Sequence, residues 1–366
     1  MRPRTGLRPT LPKSSVLPKG AKKRYDIVVS KRRRYFRSIT VSALGLGVVA
    51  GGWSLALPHG SRPAQAAAAV HGELAPTGPV IAAAAPVLAP ALAPASGGQV
   101  PQVRHVVVIS EDGMRPELIY QQQSRMQWHE QLYRNGSYSW KARTIRTAST
   151  LPSHASMLSG VDVNLHGLTW NNWRPTKGFI HVPTIFNAAE ERGMKTAAFV
   201  GKFKLRHILP AGSVGVFERP GYYCKKVSDE AARYLEKEKP VLTFVHFSDP
   251  DEAGHSAGWM SESQKHAALA ADACLGTIYK ALDRAGMLED TLVIVSADHG
   301  GHNHNHSGAL ASDREIPWIA AGPRVRKGYH IHSVVSTMDT AATALMVLGL
   351  QPLTKLAGKP VSEIFQ

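Results

Sequence analysis

From residue 101 onward, the sequence alternates between short apolar runs and longer amphipathic stretches. The runs are rich in β-branched residues and apolar at consecutive positions, which is typical of strands buried on both faces. We predict strands at 105–110, 195–200, 241–247, 291–297 and 316–321. We predict helices at 184–192, 228–238, 261–285 and 336–348, the third of them capped by Ser261.

This alternation defines the expected fold class. Strands separated by helices, with no alternation between apolar and polar positions, indicate an α/β fold with a mostly parallel central sheet and helices on both faces. The chain has 366 residues and 43% hydrophobic residues. Residues 101–366 are therefore long enough to bury the core of a single large domain.

The first 100 residues differ in composition from the rest. Arg33-Arg34-Tyr35-Phe36 has the pattern of a twin-arginine signal, the uncharged run 39–57 follows, and Ala64-Gln65-Ala66 fits a cleavage site. We interpret 1–66 as a twin-arginine-type export signal, with an uncleaved membrane anchor as the alternative. We interpret 67–100, rich in Ala and Pro, as a linker. The protein would then be periplasmic or extracellular.

The basic composition does not require a nucleic-acid-binding surface. Residues 1–37 contain thirteen Lys or Arg and one acidic residue, Asp26, and so hold twelve of the sixteen net positive charges. The remaining residues carry only four, which argues against a polyanion-binding protein. The two cysteines, Cys224 and Cys274, could pair in an oxidising compartment or stay as thiols, and the sequence leaves both open.

Carboxylates and imidazoles follow three of the predicted strands. Asp112 follows the first strand, Asp251 and His255 follow the third, and Asp298 and His299 follow the fourth. In parallel sheets, the chemistry gathers at the carboxyl ends of strands, and Zn²⁺ accepts this mixture of oxygen and nitrogen ligands. Each residue alone has a simpler reading. Asp112 could be a turn residue before Gly113, and Asp249 competes with Asp251.

The loop SADHGGHNHNHSG at 296–308 adds three more histidines, His302, His304 and His306. Such a loop could also be solvated polar surface that binds metal only adventitiously. Gly300 and Gly301 would let the backbone turn sharply.

Taken in chain order, the motifs resemble a known family. They are Asp112-Gly113-Met114-Arg115, Thr150-Leu151-Pro152-Ser153-His154, His166-Gly167-Leu168-Thr169-Trp170-Asn171, Asp251-x-x-x-His255 and Asp298-His299. This order resembles the alkaline phosphatase superfamily and, within it, the type I phosphodiesterases/nucleotide pyrophosphatases.

The resemblance implies two divalent metal ions, most simply Zn²⁺. One would be held by Asp112, Thr150, Asp298 and His299. The other would be held by Asp251, His255 and a last histidine, for which His306 fits best, His304 second and His302 third. Thr150 would be the nucleophile that forms a phospho-threonine intermediate, and Asn171 would contact the phosphoryl group. Apart from the resemblance, Trp170 beside Asn171 could border the substrate or pack in the core.

Other roles remain open for some of these residues. Thr150 could instead cap a helix that begins at Leu151 or Pro152. His154 and His166 are expected to hold loops by hydrogen bonds.

The expected function is hydrolysis of the phosphodiester or pyrophosphate bond of a small phosphorylated substrate, without specific nucleic-acid recognition. Two features depart from the family. Only six residues separate His299 from His306, where larger members have a long insertion, and this puts a nucleotide-specific pocket in doubt. The Thr150 motif also lacks the arginine of the sulfatase pattern. The alternatives are a phosphonoacetate-type hydrolase, a phosphomonoesterase, or a catalytically silent metal-binding or polyanion-binding protein.

Overall fold

The computed structural model describes residues 102–122, 124–306 and 308–366. The strands are β1 (His105–Glu111), β2 (Ser137–Arg143), β3 (Thr196–Val200), β4 (Val216–Glu218), β5 (Leu242–Phe247), β6 (Thr291–Ser296), β7 (Glu315–Ala321) and β8 (Tyr329–His330). The α-helices are α1 (Pro116–Tyr120), α2 (Gln127–Arg134), α3 (Thr150–Ser159), α4 (Val163–His166), α5 (Ile185–Glu190), α6 (Cys224–Glu238), α7 (Asp249–Ala257), α8 (Glu262–Arg284), α9 (Ala311–Arg314) and α10 (Asp339–Val347).

The strands form one mixed sheet in the order β4-β3-β5-β1-β6-β7-β2-β8. β1 lies between β5 and β6 and runs parallel to both, with Ser110 opposite His246 on one side and Ser296 on the other. β7 runs antiparallel to β6 and β2. The carboxyl ends of β5, β1 and β6 therefore meet at the same edge of the sheet.

Helices cover the sheet in two groups. α8 packs against α2, α6 and α7, whereas α3 packs against α4, α5 and α10. Every residue of β1, β3, β5 and β6 is buried, as expected for strands with apolar side chains on both faces. The predicted α/β class with a mostly parallel sheet is confirmed.

The predicted elements are present with small shifts at their ends. The five predicted strands correspond to β1, β3, β5, β6 and β7, and the four predicted helices to α5, α6, α8 and α10. Ser261 caps α8 as predicted, because its side chain accepts a hydrogen bond from the Gln264 N–H. β2, β4 and β8 were not predicted, and the β2 sequence SYSWKAR alternates between buried and more exposed positions.

The predicted signal and linker, residues 1–66 and 67–100, lie outside the described residues. Within the described part of the chain, no helix is long and apolar enough to cross a membrane.

Cys224 and Cys274 form a disulfide that joins the start of α6 to the middle of α8. The sequence had left this pairing open. Closing a loop of this length typically stabilises a fold by about 4 kcal/mol.

A buried histidine between two carboxylates ties β1 to α2 and α8. His129 Nδ1 lies 2.7 Å from Asp272 Oδ1, and its Nε2 lies 2.9 Å from Glu111 Oε2. Burial alone would lower the pKa of His129, but the two carboxylates raise it to about 9. The imidazolium is therefore the stable form at neutral pH.

We predict that this network makes stability depend on pH. The pKa of His129 is raised on folding, so its contribution is complete below about pH 6.5 and is lost as the pH rises through about 9. His129→Leu should lower the free energy of unfolding by about 3–5 kcal/mol near pH 6. The deficit relative to wild type should shrink by about 3 kcal/mol by pH 10.

Urea unfolding at several pH values would measure this difference. His105→Leu is the matched control, since the buried His105 bonds to the Pro240 carbonyl rather than to a carboxylate. A deficit for His129→Leu that stays constant across this pH range would contradict the prediction.

Candidate active site

Three buried aspartates meet at the carboxyl edge of the sheet. Asp112 follows β1, Asp251 lies in the first turn of α7 just after β5, and Asp298 follows β6. Their relative exposures are 0%, 4% and 0%. Three carboxylates buried this close together require cations to compensate their charge.

Gly113 holds the three aspartate-bearing loops together. Its backbone has a φ of +72°, and its N–H donates a 3.2 Å hydrogen bond to Asp298 Oδ1. A Cβ atom at this position would lie 2.8 Å from Asp251 Cα. Glycine is therefore required here both for its backbone conformation and for the close approach of the loops.

The three preferred histidine ligands are oriented in the same way. The Nδ1–H of His255 donates to the His304 carbonyl (2.9 Å), that of His299 to the Gly300 carbonyl (2.8 Å), and that of His306 to the Ala148 carbonyl (2.7 Å). Because a carbonyl can only accept, each Nδ1 carries a proton, and in the neutral imidazole this leaves the lone pair on Nε2. Backbone carbonyls commonly fix metal-binding histidines in this way.

The lone pairs face the carboxylates. His255 Nε2 lies 3.4 Å and His306 Nε2 lies 3.9 Å from Asp251 Oδ1. His299 Nε2 lies 3.4 Å from Asp112 Oδ1, and its ring stacks on that of His306 with 3.8 Å between centroids. The donor atoms form two groups that could each hold an ion, Asp251/His255/His306 and Asp112/Asp251/His299.

Several donor atoms are buried without a hydrogen-bond partner in the described structure. They are Asp112 Oδ1, Thr150 Oγ1, Asp251 Oδ1, Asp298 Oδ2 and His299 Nε2. Unpaired buried polar atoms are costly and rare, yet here five come from the predicted ligand set. The donor set therefore fits metal ions.

The electrostatics also fit metal ions. Burial, together with the neighbouring Asp112, raises the pKa of Asp298 to about 7. Burial lowers the pKa of His299, and it lowers that of His306 to about 4, so both imidazoles are neutral at pH 7 as metal ligation requires. Burial also opposes ionisation of Asp112, but Lys202 and His246 hold its pKa well below the ordinary value.

Thr150 is the first residue of α3, with Ser149 in the N-cap position. The interpretation of Thr150 as a helix cap is therefore wrong, and its Oγ1 makes no hydrogen bond in the described structure. The backbone around it is fixed by hydrogen bonds. His306 Nδ1 donates to the Ala148 carbonyl, and His154 Nδ1 donates to the Thr150 carbonyl at 2.7 Å.

Asn171 lies beside the N-terminus of α3. Its Oδ1 accepts from the Leu151 N–H at 2.9 Å and from Lys204 Nζ at 3.0 Å. Two donors on Oδ1 fix the orientation of the amide and leave its NH₂ group as a donor.

Trp170 is half-buried and packs edge-on against His207, with Lys177 Nζ 5.1 Å from its ring centroid. Trp173 and Phe203 are more exposed, and their ring centroids lie 4.9 Å apart.

The other histidines of the 296–308 loop have separate contacts. His302 Nδ1 bonds to Asp313 Oδ1 at 2.6 Å, and the exposed His304 donates from Nδ1 to the His255 carbonyl at 3.0 Å. Neither belongs to the two donor groups. His154 and His166, which were expected to hold loops by hydrogen bonds, are both buried. His154 bonds to the Ser110 hydroxyl, and His166 bonds to the Ser156 hydroxyl.

Two sequence interpretations near this loop need correction. Gly300 and Gly301 do not have positive φ, and the left-handed residue of the turn is Asn303. Both positions require glycine for lack of space. A Cβ atom at Gly300 would lie 2.1 Å from the Ser312 carbonyl oxygen, and one at Gly301 would lie 2.2 Å from the Trp259 ring. Asp249 does not compete with Asp251, because its carboxylate accepts from the Cys224 N–H.

Sequence reasoning missed two lysines at this site. Lys202 follows β3, and its buried Nζ lies 2.7 Å from Asp112 Oδ2 and also bonds to Asp251 Oδ2. Lys204 reaches Asn171, and burial lowers its pKa to about 8. The signal was present, because Gly201-Lys202-Phe203-Lys204 directly follows the second predicted strand, at the same edge of the sheet.

The sheet and the donor groups are compatible with the alkaline phosphatase superfamily that the sequence motifs resemble. The family model described as "Type I phosphodiesterase / nucleotide pyrophosphatase" matches residues 106–318, more than half of the chain. The chain therefore belongs to the type I phosphodiesterase/nucleotide pyrophosphatase family. Hydrolysis of phosphoric esters and metal dependence are typical of this family.

Solved structures share this fold. Murine ectonucleotide pyrophosphatase/phosphodiesterase 5 aligns with a TM-score of 0.60 and 16% identity, over 72% of this chain and 100% of that one. The phosphonate monoester hydrolase of Agrobacterium radiobacter aligns with a TM-score of 0.56 and 17% identity, over 72% and 77%.

Among curated proteins, the chain is similar to the 2,3-bisphosphoglycerate-independent phosphoglycerate mutases of Pseudomonas putida and Onchocerca volvulus. The Pseudomonas putida (strain KT2440) protein is 24% identical over 236 residues, which is 62% of this chain and 42% of that protein. The Onchocerca volvulus protein is 24% identical over 220 residues, which is 57% and 39%. The chain thus spans about two fifths of the length of these relatives.

We predict that Gly113→Ala is far more damaging than an ordinary glycine substitution. A left-handed backbone alone should cost alanine about 1–2 kcal/mol. The clash with Asp251 should bring the total loss in free energy of unfolding to about 3–5 kcal/mol. Gly193→Ala is the matched control, because Gly193 has a φ of +65° but nothing within 4 Å of an added Cβ. Equal losses in urea unfolding would show that Gly113 does not pack against Asp251.

Proposed function

We propose that this chain is an exported hydrolase that cleaves phosphodiester or pyrophosphate bonds with two divalent metal ions, most simply Zn²⁺, and a phospho-threonine intermediate. One observation carries the proposal. The Thr150 hydroxyl is buried, without a hydrogen-bond partner in the described structure, at a helix N-terminus whose flanking backbone is bonded to His306 and Asn171.

The predicted ligand sets are compatible with the geometry. Asp251, His255 and His306 would hold one ion, as their donor atoms converge. Asp112, Thr150, Asp298 and His299 would hold the other, and four of their donor atoms are buried without a hydrogen-bond partner in the described structure. Bound there, the ions would neutralise charge on the attacking and leaving oxygens and lower the pKa of the Thr150 hydroxyl.

The chain's own residues would position the reaction. Thr150 Oγ1 forms a bond to phosphorus as the bond to the leaving oxygen breaks, and the Thr150 proton is released. Water then attacks phosphorus, the bond to Thr150 Oγ1 breaks, and the hydroxyl is restored. The N-terminus of α3 favours the anion at this position, and the Asn171 NH₂ group is oriented to donate to a phosphoryl oxygen.

The aromatic residues near Asn171 in the sequence suggest how the organic part of the substrate could bind. Trp170 remains a proposed contact, and the exposed Trp173 and Phe203, whose rings meet edge to face, offer apolar area for the organic part of a small phosphorylated substrate. A structure of the murine neighbour is in complex with AMP, which is compatible with such a substrate.

Phosphonate or phosphomonoester hydrolysis at the same site is the second candidate. Lys204 places a cation beside Asn171, which would favour a doubly charged phosphoryl group. One structural neighbour is a phosphonate monoester hydrolase.

Export is proposed from the twin-arginine pattern in residues 1–66. The Cys224–Cys274 disulfide supports it, since disulfides persist in oxidising compartments.

We predict that Thr150→Ala lowers the hydrolysis of bis-p-nitrophenyl phosphate at least about 10³-fold, because it removes the hydroxyl proposed to attack phosphorus. Thr150→Ser, which keeps the hydroxyl, should retain measurable activity. When wild-type protein turning over this diester is quenched in acid, one p-nitrophenol has left, and a p-nitrophenyl phosphoryl group should remain on Thr150, detectable by mass spectrometry.

The same assay should compare the diester with p-nitrophenyl phosphate and phosphonoacetate, and the diester should be fastest. A Thr150→Ala variant with wild-type turnover would rule out the threonine mechanism. Faster turnover of the monoester or the phosphonate would favour the second candidate.

We predict that the loop histidines differ in metal binding. Purified wild-type protein should contain about two equivalents of zinc, and His306→Ala should contain about one. His302→Ala and His304→Ala should keep two, because their rings contact Asp313 and the His255 carbonyl. Elemental analysis after gel filtration measures this. Loss of zinc from His304→Ala but not from His306→Ala would reverse the assignment.

A further inference from the structure

Lys202 contacts a carboxylate in each of the two predicted ligand sets. Its side chain is 9% exposed, and its ammonium group bonds to Asp112 Oδ2 and Asp251 Oδ2. Asp112 follows β1, Asp251 lies on α7, and Lys202 follows β3, so one side chain connects three separate segments.

The two carboxylates use their oxygens in the same way. In each, Oδ2 is bonded to Lys202, whereas Oδ1 has no hydrogen-bond partner in the described structure. Asp112 Oδ1 faces His299 Nε2 at 3.4 Å, and Asp251 Oδ1 faces His255 Nε2 at 3.4 Å. By holding one oxygen of each carboxylate, Lys202 turns the other toward the imidazole donors.

We propose that Lys202 is a positioning residue shared by both metal sites, which orients one carboxylate ligand in each and thereby links their metal affinities. The proposal rests on the two-metal function proposed above. Removing a group that hydrogen-bonds to a metal ligand typically lowers metal affinity 10–100-fold. Without Lys202, the two carboxylates would lose the cation between them and repel each other, and Asp251 Oδ2 would lose its hydrogen bond to Lys202.

The structure supplies two controls. Lys204 is a second lysine two residues away, but its hydrogen bond goes to Asn171 rather than to a carboxylate. His246 donates from Nε2 to Asp112 Oδ2 at 3.0 Å, while its Nδ1 accepts from the Gly201 N–H, so it supports one carboxylate only. Asparagine at 246 can keep the acceptor for Gly201 and lose the donor to Asp112.

The test is a zinc titration of the metal-stripped full chain in competition with a chromophoric chelator. Lys202→Met should weaken both zinc affinities about 10–100-fold, Lys204→Met should change neither, and His246→Asn should weaken one. Wild-type affinities at either site of Lys202→Met would overturn the proposal. Failure of the wild-type protein to bind two zinc ions would instead contradict the two-metal function.

A second variant covers the case in which Lys202→Met does not fold, as judged by circular dichroism. Lys202→Gln keeps N–H donors without the charge, and it should weaken both sites by a smaller factor than the methionine variant. A Lys202→Gln variant that weakens only one site, or neither, would also overturn the shared role.

Discussion

Mutual repulsion among three buried carboxylates is the constraint on which the rest of this site depends. β5, β1 and β6 are parallel neighbours, so Asp251, Asp112 and Asp298 are brought to one edge of the sheet with almost no exposure to water. Such a cluster is tolerated only if positive charge is placed within it. Lys202 supplies one fixed charge, and the carboxylate oxygens and imidazole nitrogens form two groups that could each hold a metal ion.

This constraint also explains why particular residues and backbone contacts surround the three aspartates. Gly113 allows the Asp112 and Asp251 loops to approach, and its N–H holds Asp298. Backbone carbonyls accept from Nδ1 of His255, His299 and His306, so that the Nε2 atoms face the carboxylates. The contacts that stabilise the edge of the sheet are thus the contacts that orient the donor atoms.

Much of this arrangement could be predicted from the sequence. Consecutive apolar residues identify buried parallel strands, and the carboxyl-end rule then places Asp112, Asp251 and Asp298 at one edge without any knowledge of their contacts. Asp251 and His255 lie one helical turn apart on α7, as their spacing suggests. The ligand roles of these residues remain predictions, although the structure brings donor atoms of Asp112, Asp251 and His255 into the two donor groups, which do not include Asp298.

The features that were not predicted depend on tertiary contacts, which leave little trace in the local sequence. β2 was missed because its alternating, partly exposed sequence contains no apolar run, and the antiparallel direction of β7 is set by its pairing rather than by its residues. The Cys224–Cys274 pairing depends on how α6 packs against α8. Lys202 was overlooked because a lysine after a strand usually faces solvent, whereas here it is enclosed by two carboxylates.

A crystal structure of the zinc-loaded protein, with anomalous scattering recorded on both sides of the zinc edge, tests the two-metal account most directly. The account predicts two peaks. One should lie about 2.0–2.2 Å from donor atoms of Asp251, His255 and His306, and the other at similar distances from Asp112, Thr150, Asp298 and His299. A single peak, or zinc bound by His302 or His304, would contradict it.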